Sequence, residues 1–312
     1  MKRVVSISLG SSKRDHYFET EILGEHFRIE RVGTDGSIKK AIELVKQLDG
    51  KVDAFGMGGI DMAIRAGNRK YFLREALPIA RAARLTPMVD GSGLKETLEY
   101  RLIQYVDRTI LKLEGKHALL TTAVDRVGMA RGLVECKANV IFGDLMFNLG
   151  VGIPLRTMTQ VEYLARIIAP VVCQMPFSWL YPTGSKQEQR IPKYRNHFLW
   201  AEVVCGDFHL TKRFMPDKLP GKIVVTNTVT ADDIDFLRAA GVLTVVTGTP
   251  EMNGRSFGTN VLEAILVALS GKRPEMLTHE DYFTLLDETG FKPRVVHLRA
   301  VGNNTEVMQS RV

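Results

Sequence analysis

The sequence has little cysteine and no clustered metal ligands. Its three cysteines lie far apart and form no C-x-x-C pair, and the seven histidines show no H-x-x-x-H or H-E-x-x-H spacing. This spacing excludes a disulfide framework and a tetrathiolate zinc site. Cys205, Asp207 and His209 alternate and would share one face of a strand, where they could bind a metal. A half-buried strand with a polar face explains the alternation equally well, so we assign no metal ligands.

Long apolar runs are also missing. No segment approaches the roughly 18 apolar residues that a membrane-spanning helix needs. The first residues, MKRVVSISLGSSKRD, contain too short an apolar run for a signal peptide. We therefore expect a cytoplasmic protein without a membrane partner.

Positive charge is present but not concentrated. The formal net charge is +7, yet the densest groups of lysine and arginine are adjacent pairs such as Lys13-Arg14. This scatter does not favour nucleic acid as a partner. A positive balance is compatible with a small anionic ligand.

Strand-like and helix-like patterns alternate along the chain. Apolar runs at 4–10 and 52–59 read as strands, and residues 38–48 have apolar side chains at helical spacing. The alternation predicts an α/β fold of two Rossmann-like units, with mainly parallel sheets flanked by helices. We place a substrate domain at 1–115 and a nucleotide-binding domain at 116–312.

The stretch LLTTAVDRVGMARGLVE, residues 119–135, predicts a strand, a tight turn and a helix. A dinucleotide-binding unit has this arrangement, with an acidic residue ~20 positions later at the tip of the next strand. Ala123, Asp125 and Gly128 stand at the three glycine positions, with Gly128 where a helix packs closely on a strand, and Asp144 stands at the acidic one. The pattern predicts an NAD or NADP site, although an Asp125 carboxylate that capped the helix would itself occupy the anion position.

A second candidate anion site lies between residues 247 and 260. Gly254 would let backbone amides converge, the N-terminus of the following helix adds partial positive charge, and Arg255 and Ser256 could bind an oxyanion. A plain turn capped by Asn260 explains the same residues.

Candidate catalytic residues follow the apolar runs of the first unit. Lys95 with Asp61 or Asp90 would transfer a proton during oxidation of an alcohol, and each residue could equally form a turn. Asn227 and Thr228 follow a strand of the second unit, where ligands bind in open α/β sheets, and would flank the nicotinamide.

The chain resembles a group of bacterial proteins described as quinate/shikimate 5-dehydrogenase-like. The resembling segments are ISLGSSKRD, ERVGTDG, VDAFGMGGID, TPMVDGSGLK and GTPEMNGRSFGTNV. The resemblance implies NAD(P)-dependent oxidation of a cyclic polyol acid. The G-x-G-G-A type turn and the N-V-T-x-P-x-K segment of shikimate dehydrogenases are absent here.

Three hypotheses follow from these residues. The first is an NAD(P)-dependent oxidoreductase that acts on a small hydroxy acid. The second is a non-redox α/β protein that binds a phosphate- or carboxylate-bearing ligand through residues 254–260. The third is an interaction protein in which residues 174–198 form an oligomeric arm. We also expect the chain to form a homo-oligomer.

Overall fold

Two mainly parallel sheets form the framework of the protein. The computed structural model describes residues 1–66, 69–176, 190–249, 251–252, 255–256 and 258–298. The first unit contains the strands β1 (Lys2–Ser8), β2 (His16–Ile22), β3 (Glu25–Gly33), β4 (Ala54–Gly58), β5 (Ala63–Ala66), β6 (Arg69–Phe72) and β7 (Met88–Val89). Its main sheet has the order β2-β3-β1-β4-β7, in which β2 pairs antiparallel and the other pairs are parallel. Strands β5 and β6 form a separate hairpin.

The second sheet has six strands, all but the last of them parallel. These are β8 (His117–Leu120), β9 (Asn139–Phe142), β10 (Val203–Cys205), β11 (Ile223–Thr226), β12 (Thr244–Thr247) and, after the short pair β13 (Glu251–Met252) and β14 (Arg255–Ser256), β15 (Arg294–His297). The order is β15-β12-β11-β10-β8-β9, with β15 antiparallel. The two sheets confirm the predicted α/β fold of two Rossmann-like units.

Helices connect the strands and cover the sheets. They are α1 (Ile38–Leu48), α2 (Ala76–Ala82), α3 (Ser92–Thr109), α4 (Val127–Glu135), α5 (Met158–Val172), α6 (Arg195–Trp200), α7 (Phe208–Phe214), α8 (Ala231–Ala240), α9 (Thr259–Ser270) and α10 (His279–Glu288). Helix α3 starts three residues after β7 and leads to β8, so it joins the two units. Its position brings the ends of both sheets toward one another.

Strand order places a topological switch point between β8 and β10 of the second sheet. From β8 the chain moves outward to β9 on one side, and then returns to β10 on the other side. The connection after β8 and the connection after β10 therefore lead toward opposite edges of the sheet. Ligands in open α/β sheets bind at such a switch point, outside the carboxyl ends of the strands.

Helix α9 returns the chain to the first sheet. Val261, Ala264 and Ile265 pack in one buried cluster with Val4 of β1 and Ala54 of β4. The core of the first sheet thus includes side chains from near the end of the chain. The division at residues 115 and 116 stays a prediction.

Gly128 lies against helix α3. A Cβ atom at Gly128 would lie 2.7 Å from the carbonyl oxygen of Lys95, and one at Gly132 would lie 2.8 Å from the Ile103 Cβ. Both neighbours belong to α3. The missing side chains therefore allow α4 to approach α3 closely, and the role of Gly128 in a dinucleotide site stays a prediction.

The alternation at residues 205–209 does not lie on one strand. β10 ends at Cys205, and Asp207 is the N-cap of α7, accepting a hydrogen bond from the Leu210 amide. His209 lies within that helix. The shared strand face considered for these three residues is therefore wrong, and the described part of the chain holds no group of three or more possible metal ligands.

Candidate active site between the two units

A buried lysine is shared by two carboxylates from different units. Lys95 lies in the first turn of α3, and its Nζ donates to Asp61 Oδ1 at 2.8 Å and to Asp125 Oδ1 at 3.1 Å. Asp61 follows β4 of the first sheet, whereas Asp125 follows β8 of the second. The Lys95 side chain is 13% exposed, so the ammonium is largely removed from water while its partners are more accessible.

The two carboxyls of this cluster differ in their affinity for a proton. Burial raises the pKa of Asp61 and outweighs the nearby Lys95 ammonium, the Asp125 and Asp90 carboxylates add to the rise, and the pKa reaches about 7. Burial acts in the same direction on Asp125, but Arg126 and Lys95 outweigh it and lower the Asp125 pKa. Asp61 therefore carries the proton and hydrogen-bonds to an ionised Asp125.

Lys95 remains positively charged between these groups. Burial favours the neutral amine, but the charges of Asp125 and Asp61 outweigh it and raise the Lys95 pKa above its ordinary value. A fixed cation beside a carboxyl that titrates near neutrality can stabilise an oxyanion while the carboxyl accepts or donates a proton.

Asp90 holds the backbone around this cluster. Its Oδ2 accepts from the Met62 amide at 2.5 Å, and its Oδ1 accepts from the Ser92 amide at 3.0 Å. These bonds tie the loop that carries Asp61 to the start of α3, which carries Lys95. Of the two aspartates predicted as partners of Lys95, Asp61 makes the contact and Asp90 positions the loop.

Arg126 connects the cluster to the switch point of the second sheet. Its Nη1 donates to Glu99 Oε1 at 2.6 Å, its Nη2 donates to Asp207 Oδ2 at 3.2 Å, and its Nε lies 3.2 Å from Asp125 Oδ2. Asn227 Nδ2 lies 3.4 Å from the same Asp207 oxygen. Burial lowers the Arg126 pKa, but the three carboxylates outweigh it and raise the pKa well above its ordinary value. The guanidinium thus fixes Asp125 in its ionised form.

Glu99 and Glu263 are buried carboxyls behind the cluster. Glu99, on α3, is 2% exposed, and burial raises its pKa despite the contact with Arg126. Glu263, on α9, accepts from the Tyr282 hydroxyl at 2.7 Å and from the Gly91 amide, and burial raises its pKa to about 7. Its Oε2 atom has no hydrogen-bond partner among the described residues.

Asp144 is bonded to the turn that was predicted to bind a dinucleotide. Its carboxylate accepts from the Ala123 amide at 3.0 Å and from the Val124 amide at 3.0 Å, and the Thr122 hydroxyl lies 3.4 Å away. The side chain is 3% exposed, and burial raises its pKa in spite of these amide bonds. In this arrangement Asp144 faces the turn, and its oxygens are not directed at a ribose.

Asp125 does not cap α4. The N-cap is Arg126, without a side-chain capping bond, and the Asp125 carboxylate is bonded to Lys95 instead. The Arg126 amide donates to the Ala123 carbonyl oxygen, and Gly128 is pressed against the α3 backbone. The residues present therefore do not fit a dinucleotide pyrophosphate: three amides of the turn are occupied, and two carboxylates stand beside them.

The remaining predicted residues either lie apart from the cluster or fall outside the residues that the structure describes. Thr228 is partly exposed one residue after Asn227, at the end of β11. Gly254 lies outside the described residues, and of Arg255 and Ser256 only the backbone is described, as β14. The second anion site and the arm, of which residues 177–189 also lie outside the description, stay predictions.

The carboxyl end of β1 carries a basic group. Arg31 Nη2 donates to Ser8 Oγ at 3.1 Å, and Arg31 Nη1 donates to Asp15 Oδ1 at 2.9 Å. Burial and the charge of Arg14 lower the Arg31 pKa. β1 is adjacent to β4, and the chain reaches Asp61 three residues after β4 ends.

Sequence reasoning found Lys95 and Asp61 as partners and placed Asp125 in the nucleotide turn, but it missed Asp125 as a partner of Lys95, Arg126, Glu99, Asp207 as a partner, and Glu263. Glu99 and Glu263 lie within helices whose apolar neighbours suggest burial, and a glutamate on such a face was the available signal.

The fold and this cluster define an α/β protein of two Rossmann-like units with an ionisable site between them. A family model described as "Domain of unknown function (DUF8754)" matches residues 93–298, and one described as "Domain of unknown function (DUF8753)" matches residues 3–90. Because the first match covers more than half of the chain, the protein belongs to the DUF8754 family. No curated protein matches the chain. In the described part of the chain, no helix has the length and apolar character to cross a membrane.

Solved structures resemble the chain only distantly. The hetero-hexameric glutamate dehydrogenase of Thermus thermophilus is 12% identical with a TM-score of 0.43, over 93% of this chain and 73% of that one. The L-tryptophan dehydrogenase of Nostoc punctiforme is 10% identical with a TM-score of 0.37, over 93% and 79%. A galactofuranose binding protein is 11% identical with a TM-score of 0.35, over 93% and 99%.

Proposed function

We propose that the protein is an enzyme that transfers a proton to or from a small hydroxy acid bound between the two units. The observation that supports this is the contact of Lys95 with Asp61 from one unit and Asp125 from the other. The loops that carry the two aspartates follow the carboxyl ends of β4 and β8, the edge where α/β proteins bind ligands.

Each residue of the cluster has a separate role in the proposed reaction. If a hydride acceptor takes the hydride of the carbinol C–H bond, ionised Asp61 would accept the proton of the substrate hydroxyl as the C=O bond forms, and in the reverse direction the protonated carboxyl would return it. The Lys95 ammonium stabilises the negative charge that develops on the substrate oxygen. Asp125 keeps Lys95 charged and oriented, and Arg126 holds Asp125.

The resemblance to quinate/shikimate 5-dehydrogenase-like proteins would couple this proton transfer to hydride transfer onto NAD or NADP. The Lys95–Asp61 contact supports the proton-transfer half of that reaction. The turn at residues 121–128 gives no support to the other half, and we derive no step through a dinucleotide.

Asp61→Asn is the direct test of the proposed chemistry. Asparagine keeps the shape of the side chain but cannot accept the proton, so we expect binding of a hydroxy acid to persist and its conversion to fall by about a hundredfold or more. The screen measures thermal stabilisation by hydroxy acids including quinate and shikimate, and then follows conversion by NMR with and without NAD or NADP.

A second variant, Lys95→Met, and a surface control variant are measured in the same binding and conversion assays. Loss of the cation should weaken both binding and conversion, whereas Asp217→Asn, at an exposed ion pair with Arg190, should change neither. Circular dichroism confirms that each variant is folded. Equal conversion by Asp61→Asn and the unaltered protein would rule the proposal out, as would the absence of any hydroxy acid that binds or reacts.

A further inference from the structure

The turn between β8 and α4 has the form of an anion-binding turn whose amides already bond to a side-chain carboxyl group. Helix N-termini and the turns before them bind phosphates through backbone amides. Here the Ala123 and Val124 amides both donate to the Asp144 carboxylate, at 3.0 Å each. Asp144 comes from the end of β9, so the bond links two neighbouring strands at their carboxyl ends.

The turn is buried on the side of α4, whereas Val124 and Asp125 are partly exposed. Thr122 and Ala123 are buried at 5% and 0% exposure, and Arg126 is 4% exposed. Gly128, at the third glycine position of a dinucleotide site, has the carbonyl oxygens of Lys95 and Glu96 in α3 against it. Helix α3 therefore covers this side of the turn.

We infer that Asp144 is an internal ligand that closes this turn to dinucleotides, so that the second unit keeps the form of a nucleotide-binding unit without its pyrophosphate site. Closure of the turn is independent of the reaction at Lys95, so the two proposals can fail separately.

Removing the carboxylate should uncover the anion site. In Asp144→Ala the Ala123 and Val124 amides lose their acceptor, and we expect the affinity for inorganic pyrophosphate to rise by about tenfold or more. Isothermal titration calorimetry with pyrophosphate, NAD and NADP measures the change. Asp217→Asn, which removes an exposed carboxylate elsewhere, should leave all three affinities unchanged.

Whether Asp144→Ala raises or lowers these affinities distinguishes the inference from its alternative. If Asp144 instead holds the ribose of a bound cofactor, the unaltered protein binds NAD or NADP in the micromolar range and Asp144→Ala weakens that binding, which overturns the inference. An unchanged pyrophosphate affinity in folded Asp144→Ala overturns it as well. Asp144→Asn keeps one acceptor oxygen for the amides, and should show a smaller gain in the same direction if alanine prevents folding.

Discussion

Glu263 is a buried carboxyl whose protonation is tied to the folded state. Burial raises its pKa to about 7, so the native protein holds this proton more tightly than the unfolded chain does. The stabilising contribution is complete at low pH and is lost as the pH rises through about 7. In Glu263→Gln the side chain cannot ionise. We expect the decrease in the free energy of unfolding between pH 5 and pH 8 to be smaller by about 1–3 kcal/mol, measured by urea denaturation.

Glu280→Gln provides the matched control for this measurement. Glu280 is exposed on α10, so the same substitution there should leave the pH dependence unaltered. A Glu263→Gln variant whose stability varies with pH as steeply as that of the unaltered protein would contradict a raised pKa for Glu263.

At the scale of single residues, the sequence predicts a site residue where that residue follows the end of an apolar strand. Asp61 and Lys95 follow neighbouring parallel strands of the first sheet, which explains their proximity, whereas Asp125 follows a strand of the second sheet and its contact with Lys95 was not predictable. The contacts of Arg126 were not predictable, because Glu99 and Asp207 are brought to it by α3 and β10 from distant parts of the chain. Asp144 was found at the right position, but the sequence could not show whether its oxygens face a ribose or the turn.

Packing of α4 on α3 brings Asp125 close to Lys95. Gly128→Ala would place a Cβ 2.7 Å from the Lys95 carbonyl oxygen, so the helices would have to separate. We expect a loss of about 1–3 kcal/mol in the free energy of unfolding, measured by urea denaturation. Gly152→Ala is the control, because its nearest contact is an ordinary 3.5 Å and the cost should stay within about 0.5 kcal/mol. Equal stabilities of the two variants would show that the helices do not meet so closely.

Among the elements, those with a clear period were the most predictable. Helix α1 has apolar residues at helical spacing and Ser37 as its N-cap, and both features are visible in the sequence. β2 was not predicted, because HYFETEI alternates exposed and half-buried residues at the edge of the sheet and contains two glutamates. α7 was read as part of a strand, because its N-cap Asp207 continues a polar alternation.

The return of α9 makes the first unit depend on the end of the chain. Without α9, the buried face formed by Val4, Phe27 and Ile29 would be exposed to water. We therefore expect the fragment 1–115 to show no cooperative urea transition, in contrast to the full chain, when both are followed by circular dichroism. A cooperative transition of the fragment would contradict this dependence and support a domain boundary at residue 115.

At the scale of the whole molecule, the loops that follow the carboxyl ends of the two sheets bring their side chains together in one ionisable cluster. Asp61, Lys95 and Asp125 come from three elements, and the proposed chemistry requires that Asp61 gain and lose a proton near neutral pH while Asp125 stays ionised. Titration of ¹³C-labelled aspartate carboxyls by NMR, with Asp61→Asn to assign the signal, measures this directly. We predict a titration of Asp61 with a pKa of about 7 and an Asp125 signal that stays ionised at lower pH. Ordinary titration of both carboxyls near a pKa of about 4 would contradict the proposed site.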